Sequence, residues 1–315
     1  MCLPCLSLHR PDACPGGPPS FLHRARRSSG GARAAGGGSI VTSEEPGPFG
    51  SWDQGAASQQ GGRHEQQDCW GIFQSPDRRG LLATVADGMG GHLDGALGAR
   101  TIIETAREFV RNPPPLLHAD PSAALDQLCQ QMHDAVNDRS EAARSTIIMV
   151  WLQHDRAYWL NVGDSRLYHF RNGRRLMRTR DHSAVQLLMD LGEINEAQMA
   201  THPAQNRLYR SLGGEDRPKP DHGQFTVQPG DLLALCSDGI WEHVPELEVW
   251  NVAHARGSAV AARLLAEQAV RRGGAAADNA TLVLLRAGAS AAADSAHWLR
   301  RLSTGFAALF NRNRH

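Results

Sequence analysis

The chain has 315 residues, 41% of them hydrophobic and 21% charged, the balance of a globular protein long enough for one large core or two modest ones. Lysine plus arginine and aspartate plus glutamate number 33 each, so no net field points to nucleic acid and no nucleic-acid partner is expected. No run approaches the roughly 20 apolar residues that span a bilayer, and the six cysteines form no disulfide framework, so a cytoplasmic protein is expected.

Residues 1–45 are rich in Gly, Pro, Ala, Ser and Arg and predict a disordered tail, with too few apolar side chains to offset the entropy of ordering. Pro4, His9, Arg10 and Pro11 break up any secretory core, and the Cys2-Leu-Pro-Cys5 pair lacks a second pair at zinc spacing. The folded domain is expected over 46–286. Trp70–Phe73 and Leu81–Ala86 are short apolar runs of strand length. Ala96–Val110 and Ser122–Asp138 have helical periodicity and are parted by Pro113-Pro114-Pro115. Thr146–Leu152, Ala157–Val162 and Leu167–Phe170 predict three strands in a meander, with hairpin-turn chemistry in Gly163-Asp164-Ser165-Arg166 between the last two. Ala184–Leu191 and Ala259–Val270 predict helices, and Leu232–Cys236 and Thr281–Leu285 two further strands. Paired helices between runs of strands, rather than strict βαβ alternation, favour an α+β fold with mostly antiparallel sheet. In 287–315 a small-residue linker leads to an amphipathic basic helix, with Trp298, Leu302, Phe306 and Phe310 on one face and arginines beside them. Residues 297–310 suit either a membrane surface or partner, or packing on the chain's own domain.

The chemistry lies in acidic residues that stand at the ends of apolar strands. Asp87 follows Leu81–Ala86 and opens Asp87-Gly88-Met89-Gly90-Gly91-His92. Asp238 follows Leu232–Cys236, Asp278-Asn279 precedes the last strand, and Asp68 stands ahead of Trp70. One Asp-Gly is a common turn dipeptide; acids at four strand ends can instead converge on a rigid frame. Hard cations such as Mg²⁺ and Mn²⁺ bind through a few oxygen ligands, and glycine after Asp87 and Asp238 permits close approach, with the Gly88 carbonyl available to a metal.

With Gly163-Asp164-Ser165-Arg166, Asp181-His182-Ser183, Leu208–Gly213, Ser237–Glu242 and Asp278–Thr281 in this order, the chain resembles the PP2C (PPM) family of metal-dependent protein phosphatases, bacterial branch, from about Arg63 to Leu285. The resemblance implies a β-sandwich flanked by helices, with two Mn²⁺ or Mg²⁺ ions between its sheets. It implies that Asp87 bridges both ions, that the Gly88 carbonyl ligates one, that Asp238 and Asp278 complete the other, and that Asp68 helps to hold the first. Arg63 matches the arginine that grips the substrate phosphate, a task suited to a planar guanidinium fork. Water activated by the two metals would then hydrolyse phosphoserine and phosphothreonine in proteins, in bacterial signalling opposite a serine/threonine kinase.

A Cys-x5-Arg loop is absent, since the five residues after Cys236 end at Trp241 and Glu242 stands at the arginine position, which excludes the cysteine-dependent phosphatases. His92 is read as either a proton donor or a structural residue, His182 as structural, and Asp164 as structural or as a residue just outside the metal ligands. Gln66-Gln67-Asp68 departs from the family's Asn-Glu-Asp or Asn-Gln-Asp, which weakens the expected second metal site. Asp138 is the nearest candidate for the third, weaker ion that some relatives bind. Asp190–Arg207 corresponds to the family's mobile flap. Two competing readings are a phosphoprotein-binding module without turnover and a metal-dependent phosphoesterase acting on a small molecule.

Overall fold

The computed structural model describes residues 52–89 and 92–288, so the expectations for the 1–45 tail and the 297–310 helix lie outside the described residues. In chain order the elements are β1 (Trp52–Gln59), β2 (Asp68–Gln74), β3 (Gly80–Met89), α1 (His92–Arg111), α2 (Leu116–Ala119), α3 (Pro121–Arg139), β4 (Arg144–Ser145), β5 (Ile147–Gln153) and β6 (Arg156–Val162). They continue as β7 (Arg166–Arg171), β8 (Arg174–Arg178), α4 (Ala184–Asp190), α5 (Glu196–Met199), β9 (Asp221–Thr226), β10 (Leu232–Cys236), α6 (Asp238–Trp241), α7 (Glu246–Arg256), α8 (Ser258–Gly273) and β11 (Ala280–Ala287). The strands form two antiparallel sheets, ordered β1-β11-β10-β7-β8 and β2-β3-β5-β6-β9, with β4 paired to the end of β3. This is the expected α+β sandwich.

The central strands are buried on both faces, which explains why they read as unbroken apolar runs rather than as alternating ones. In β3, Leu81, Ala83 and Val85 face the layer between the sheets, where they meet Leu233, Leu235, Val283 and Leu285. Leu82 and Ala86 point the other way, against Ile102 of α1 and Leu128 and Met132 of α3. On the opposite side, Leu232, Ala234, Leu282 and Leu284 pack under Leu265, Ala266 and Ala269 of α8. Helix α3 starts where the sequence places a cap: the Asp120 carboxylate accepts from the Ala123 N–H at 3.1 Å, and Pro121 fills the first turn.

One expectation is overturned. The Gly163–Arg166 turn is not a hairpin, because β6 and β7 belong to different sheets and do not pair. The segment carries the chain across the sandwich, so that β5 and β6 pair while β7 joins β10 and β8. Turn chemistry marks a change of direction, and only the pairing decides whether the next strand returns to the same sheet.

Candidate active site

Two-residue periodicity carries the inward series of β3 from Leu81, Ala83 and Val85 on to Asp87, at the open end of the layer between the sheets. Asp68 of β2 is the direct cross-strand partner of Asp87, so both carboxylates share that face. The Asp87 backbone is pinned by the neighbouring strand: its N–H donates to Thr146 Oγ1 (3.0 Å), and its carbonyl accepts from the Thr146 N–H (2.8 Å) and Ser145 Oγ (2.9 Å). Asp68 is 3% exposed and accepts from Ser237 Oγ at 2.7 Å through Oδ2, while its Oδ1 has no partner.

Asp238 opens the short helix α6 directly after β10, and its Oδ1 is likewise buried without a partner. Asp278 lies just before β11 and takes the Asn279 N–H on Oδ1 (2.7 Å) and Arg63 on Oδ2 (2.5 Å). Gly88 must be glycine, because a Cβ there would stand 2.0 Å from the Gly95 carbonyl oxygen. A Cβ on Gly239 would stand 2.2 Å from the carbonyl oxygen of Asn279, so the second Asp-Gly pair also marks close backbone approach.

Electrostatics bind these residues into one group. Burial raises the Asp87 carboxyl well above its ordinary range, and the charges of Asp68, Asp238, Asp164 and Asp278 push it further. Asp238 is raised well above its range by burial and then by Asp164, Glu242, Asp278 and Asp68. Burial pushes Asp68 up to about 6 against the hydrogen bond from Ser237. Arg63 stands at the rim with half of its side chain exposed; its partial burial opposes the charge, but Asp278, Asp238 and Asp87 outweigh that and hold it charged.

The structure thus brings together Arg63, Asp68, Asp87, Gly88, Asp238 and Asp278. It also pairs Arg63 with Asp278, two residues that the family resemblance assigns to phosphate and to metal respectively. Among the described residues, no three carboxylate, imidazole or thiol side chains already close around a single point. The donor set nevertheless fits hard divalent cations. It is all oxygen, it includes two buried carboxylate oxygens that lack a partner, and its mutual repulsion is what a cation would offset.

Two further acids belong to the group. Asp164, read from sequence as structural or as lying just outside the metal ligands, is pushed up to about 7 by burial and Asp181, with Arg166 opposing, and it acts in turn on Asp87 and Asp238. Glu242 carries no site role in the sequence. It is pushed up to about 7 by burial and then by Asp278, with Arg166 and Arg63 opposing. Both stand inside motifs of the family resemblance, which was the available signal. Trp241 braces this side: its Nε1 donates to the Asp164 carbonyl at 3.0 Å, and the Arg166 guanidinium lies 3.6 Å from its ring centre. His182 holds Gly163 by accepting its N–H on Nδ1 at 3.1 Å and donating its own backbone N–H to the Gly163 carbonyl at 2.9 Å. The His92 side chain lies outside the described residues. Asp138 is exposed on the last turn of α3 and is not among the groups acting most strongly on Asp87 or Asp238. In the segment expected to be a flap, Glu196 of α5 takes Arg175 and Arg178 of β8, and Met199 is buried against Arg166.

A sequence profile described as protein phosphatase 2C matches residues 54–272. The chain belongs to the protein phosphatase 2C family. Within it, the chain is 31% identical over 197 residues to the serine/threonine phosphatase Stp of Listeria monocytogenes serotype 4b, covering 60% of this chain and 78% of the relative. Among solved phosphatases, the Mycobacterium smegmatis PPM Ser-Thr phosphatase MsPP in complex with cacodylate superposes with a TM-score of 0.64 at 28% identity, over 76% of this chain and 99% of that one. The catalytic domain of the serine/threonine phosphatase PstP in complex with two manganese ions gives 0.61 at 26% identity, over 75% and 97%.

Proposed function

We propose that this metal-dependent serine/threonine phosphatase cleaves phosphoserine and phosphothreonine in protein substrates at the mouth between its two sheets. In this reading Asp68, Asp87, Asp238, Asp278 and the Gly88 carbonyl hold two Mn²⁺ or Mg²⁺ ions. The observation that carries it is the convergence of mutually repelling carboxylates, two with partnerless buried oxygens, beneath an arginine at the rim. Bound divalent cations supply an acidified water and positive charge against the phosphoryl oxygens.

The protein's own groups do the rest. Arg63 presents a planar fork to the phosphate. Thr146 and Ser145 fix the Asp87 backbone, so that its carboxylate is aimed by the sheet rather than by a loop. Cys236, two residues before Asp238, is pushed up to about 12 by burial and stays protonated.

The finer assignments follow from the same reading. The physiological substrates are phosphoproteins of a bacterial serine/threonine kinase system, Asp138 is the candidate for a weaker third ion, and 297–310 is the candidate for peripheral docking. Among the described residues, no helix is long and apolar enough to cross a membrane. Phosphate release from a phosphothreonine peptide, with Mn²⁺ and with chelator, tests the activity. Full turnover by rigorously metal-free protein would refute the mechanism. Removing residues 290–315 should leave hydrolysis of a small ester intact and reduce sedimentation with anionic liposomes; unchanged sedimentation would dismiss the docking role.

A further inference from the structure

The loop between β1 and β2, residues 60–67, carries Arg63 and leads into Asp68, and one buried side chain ties it down at three points. Asn279 is 4% exposed. Its Nδ2 donates to the carbonyls of Gln60 (2.7 Å) and Glu65 (3.1 Å), and its Oδ1 accepts from the Gln67 N–H (2.8 Å). Two of these anchors lie on the C-terminal side of Arg63 and one on the N-terminal side. Two further bonds close the loop, from the Gly62 N–H to the Ala277 carbonyl (2.8 Å) and from Gln60 Nε2 to the Arg63 carbonyl (2.8 Å).

We propose that Asn279 is a positioning residue for the substrate phosphate. By clamping Gln60, Glu65 and Gln67, it fixes the stretch of backbone from which Arg63 reaches the phosphate. The proposal rests on Arg63 being the phosphate grip. A carboxamide suits this place because two N–H donors meet two carbonyls and one oxygen meets an N–H. Aspartate would face the same carbonyls with lone pairs, and alanine would leave three backbone groups without their partner. The Arg63 side chain is long and 54% exposed, so its aim depends on the main chain beneath it together with its ion pair to Asp278. A displacement of about 1 Å in a binding group is enough to weaken catalysis strongly. Asp68 and Asp87 have anchors of their own in strand pairing and in Ser237, Ser145 and Thr146. The clamp touches the metal-holding group through Gln67, whose carbonyl accepts from the Gly88 N–H (3.1 Å), while Asp278 takes the backbone N–H of Asn279, a bond that a side-chain change leaves in place. The clamp therefore acts on phosphate binding more than on metal binding.

The test is steady-state hydrolysis of p-nitrophenyl phosphate at saturating Mn²⁺ by Arg63→Ala, Asn279→Ala and the double variant. Inhibition by inorganic phosphate and Mn²⁺ binding by calorimetry are measured alongside. Asn279→Ala should raise KM about tenfold and lower kcat less than about threefold, weaken phosphate inhibition in proportion, and leave the Mn²⁺ stoichiometry unchanged. The double variant should have a KM no higher than Arg63→Ala alone, because both changes remove the same interaction. Amide exchange at Gln67 should quicken in Asn279→Ala. If Asn279→Ala does not fold, Asn279→Asp carries the same expectations, since it matches the native side chain in size and retains the acceptor for Gln67. The proposal is overturned if KM is unchanged at residue 279 while Arg63→Ala raises it. Multiplying KM effects in the double variant, or loss of Mn²⁺ with KM intact, would overturn it as well. An unchanged KM and unchanged phosphate inhibition in Arg63→Ala would instead refute the role of Arg63, on which the proposal stands.

Discussion

Replacing Asp68 by Asn should make the metal-free protein more stable at neutral pH, although it weakens the metal-loaded one. Asp68 is 3% exposed, faces Asp87 across the strand pair and is pushed up to about 6 from 3.8, burial being the largest cause. The folded state therefore binds this proton more tightly than the unfolded state does. Stability from this group is full below the unfolded value, falls as pH rises from about 4 to 6, and stays low above that. Holding the ionised carboxylate in the folded protein at pH 7 thus costs roughly 3 kcal/mol, or about 6 to 12 °C in Tm for a domain of this size. Asn preserves the side-chain shape and an acceptor for Ser237 Oγ, so most of that cost should be recovered. The assay is thermal unfolding in chelator at pH 5 and pH 7, repeated with Mn²⁺. Wild type should melt lower at pH 7 than at pH 5 in chelator and recover with Mn²⁺. Asp164 and Glu242, both pushed up to about 7, extend the same slope toward neutrality. Asp68→Asn should melt higher than wild type in chelator at pH 7 and respond less to Mn²⁺. The reasoning fails if the variant melts at or below wild type in chelator and wild type shows no fall between pH 5 and 7.

Asp87→Asn should lower turnover by at least about a thousandfold while the protein stays folded, with reduced Mn²⁺ binding by calorimetry; near-normal turnover would refute its central place. Asp231, 0% exposed, accepts from Arg171, His169 and the Gln228 N–H; burial favours its neutral form, but these bonds prevail and hold it down to about 2. Its contribution is present above about pH 4 and is lost as pH falls toward 2, so Asp231→Asn should cost about 2 kcal/mol in urea unfolding at pH 7 and little at pH 2. Arg166→Ala should cost about 3 to 5 kcal/mol by the same measurement, because it strips the paired hydrogen bonds from the fully buried Asp181. Arg178, 3.2 Å from the same carboxylate, is the only other arginine bonded to it among the described residues, so an unaffected variant would mean that one arginine suffices.

Much of the central architecture is legible in residue order alone. Strands such as β3, β5, β10 and β11 are apolar on both faces because a helical layer covers one side and the partner sheet the other, and that burial is written into each run by itself. Of the four edge strands, β2 shows itself in the apolar run Trp70–Phe73, whereas β1, β8 and β9 are not legible in this way, for the opposite reason. Each has a partner on one side only, and WDQGAASQ, RRLMR and DHGQFT owe their extended form to β11, β7 and β6 rather than to their own side chains.

The site divides along the same line. By itself the sequence determined that acids stand at the ends of apolar strands, and the period of two puts Asp87 on one face with Leu81, Ala83 and Val85 without saying what that face meets. Only the tertiary structure decided that Asp68 faces Asp87, that Asp164 and Glu242 press on the same group, that Arg63 meets Asp278, and that Asn279 holds the loop beneath Arg63. These pairings join residues as far as 219 positions apart, and the register that creates them belongs to neither partner's local sequence. Local patterning can place a side chain on a face, but a contact between two faces exists only once both strands are paired and the two sheets are closed over one core.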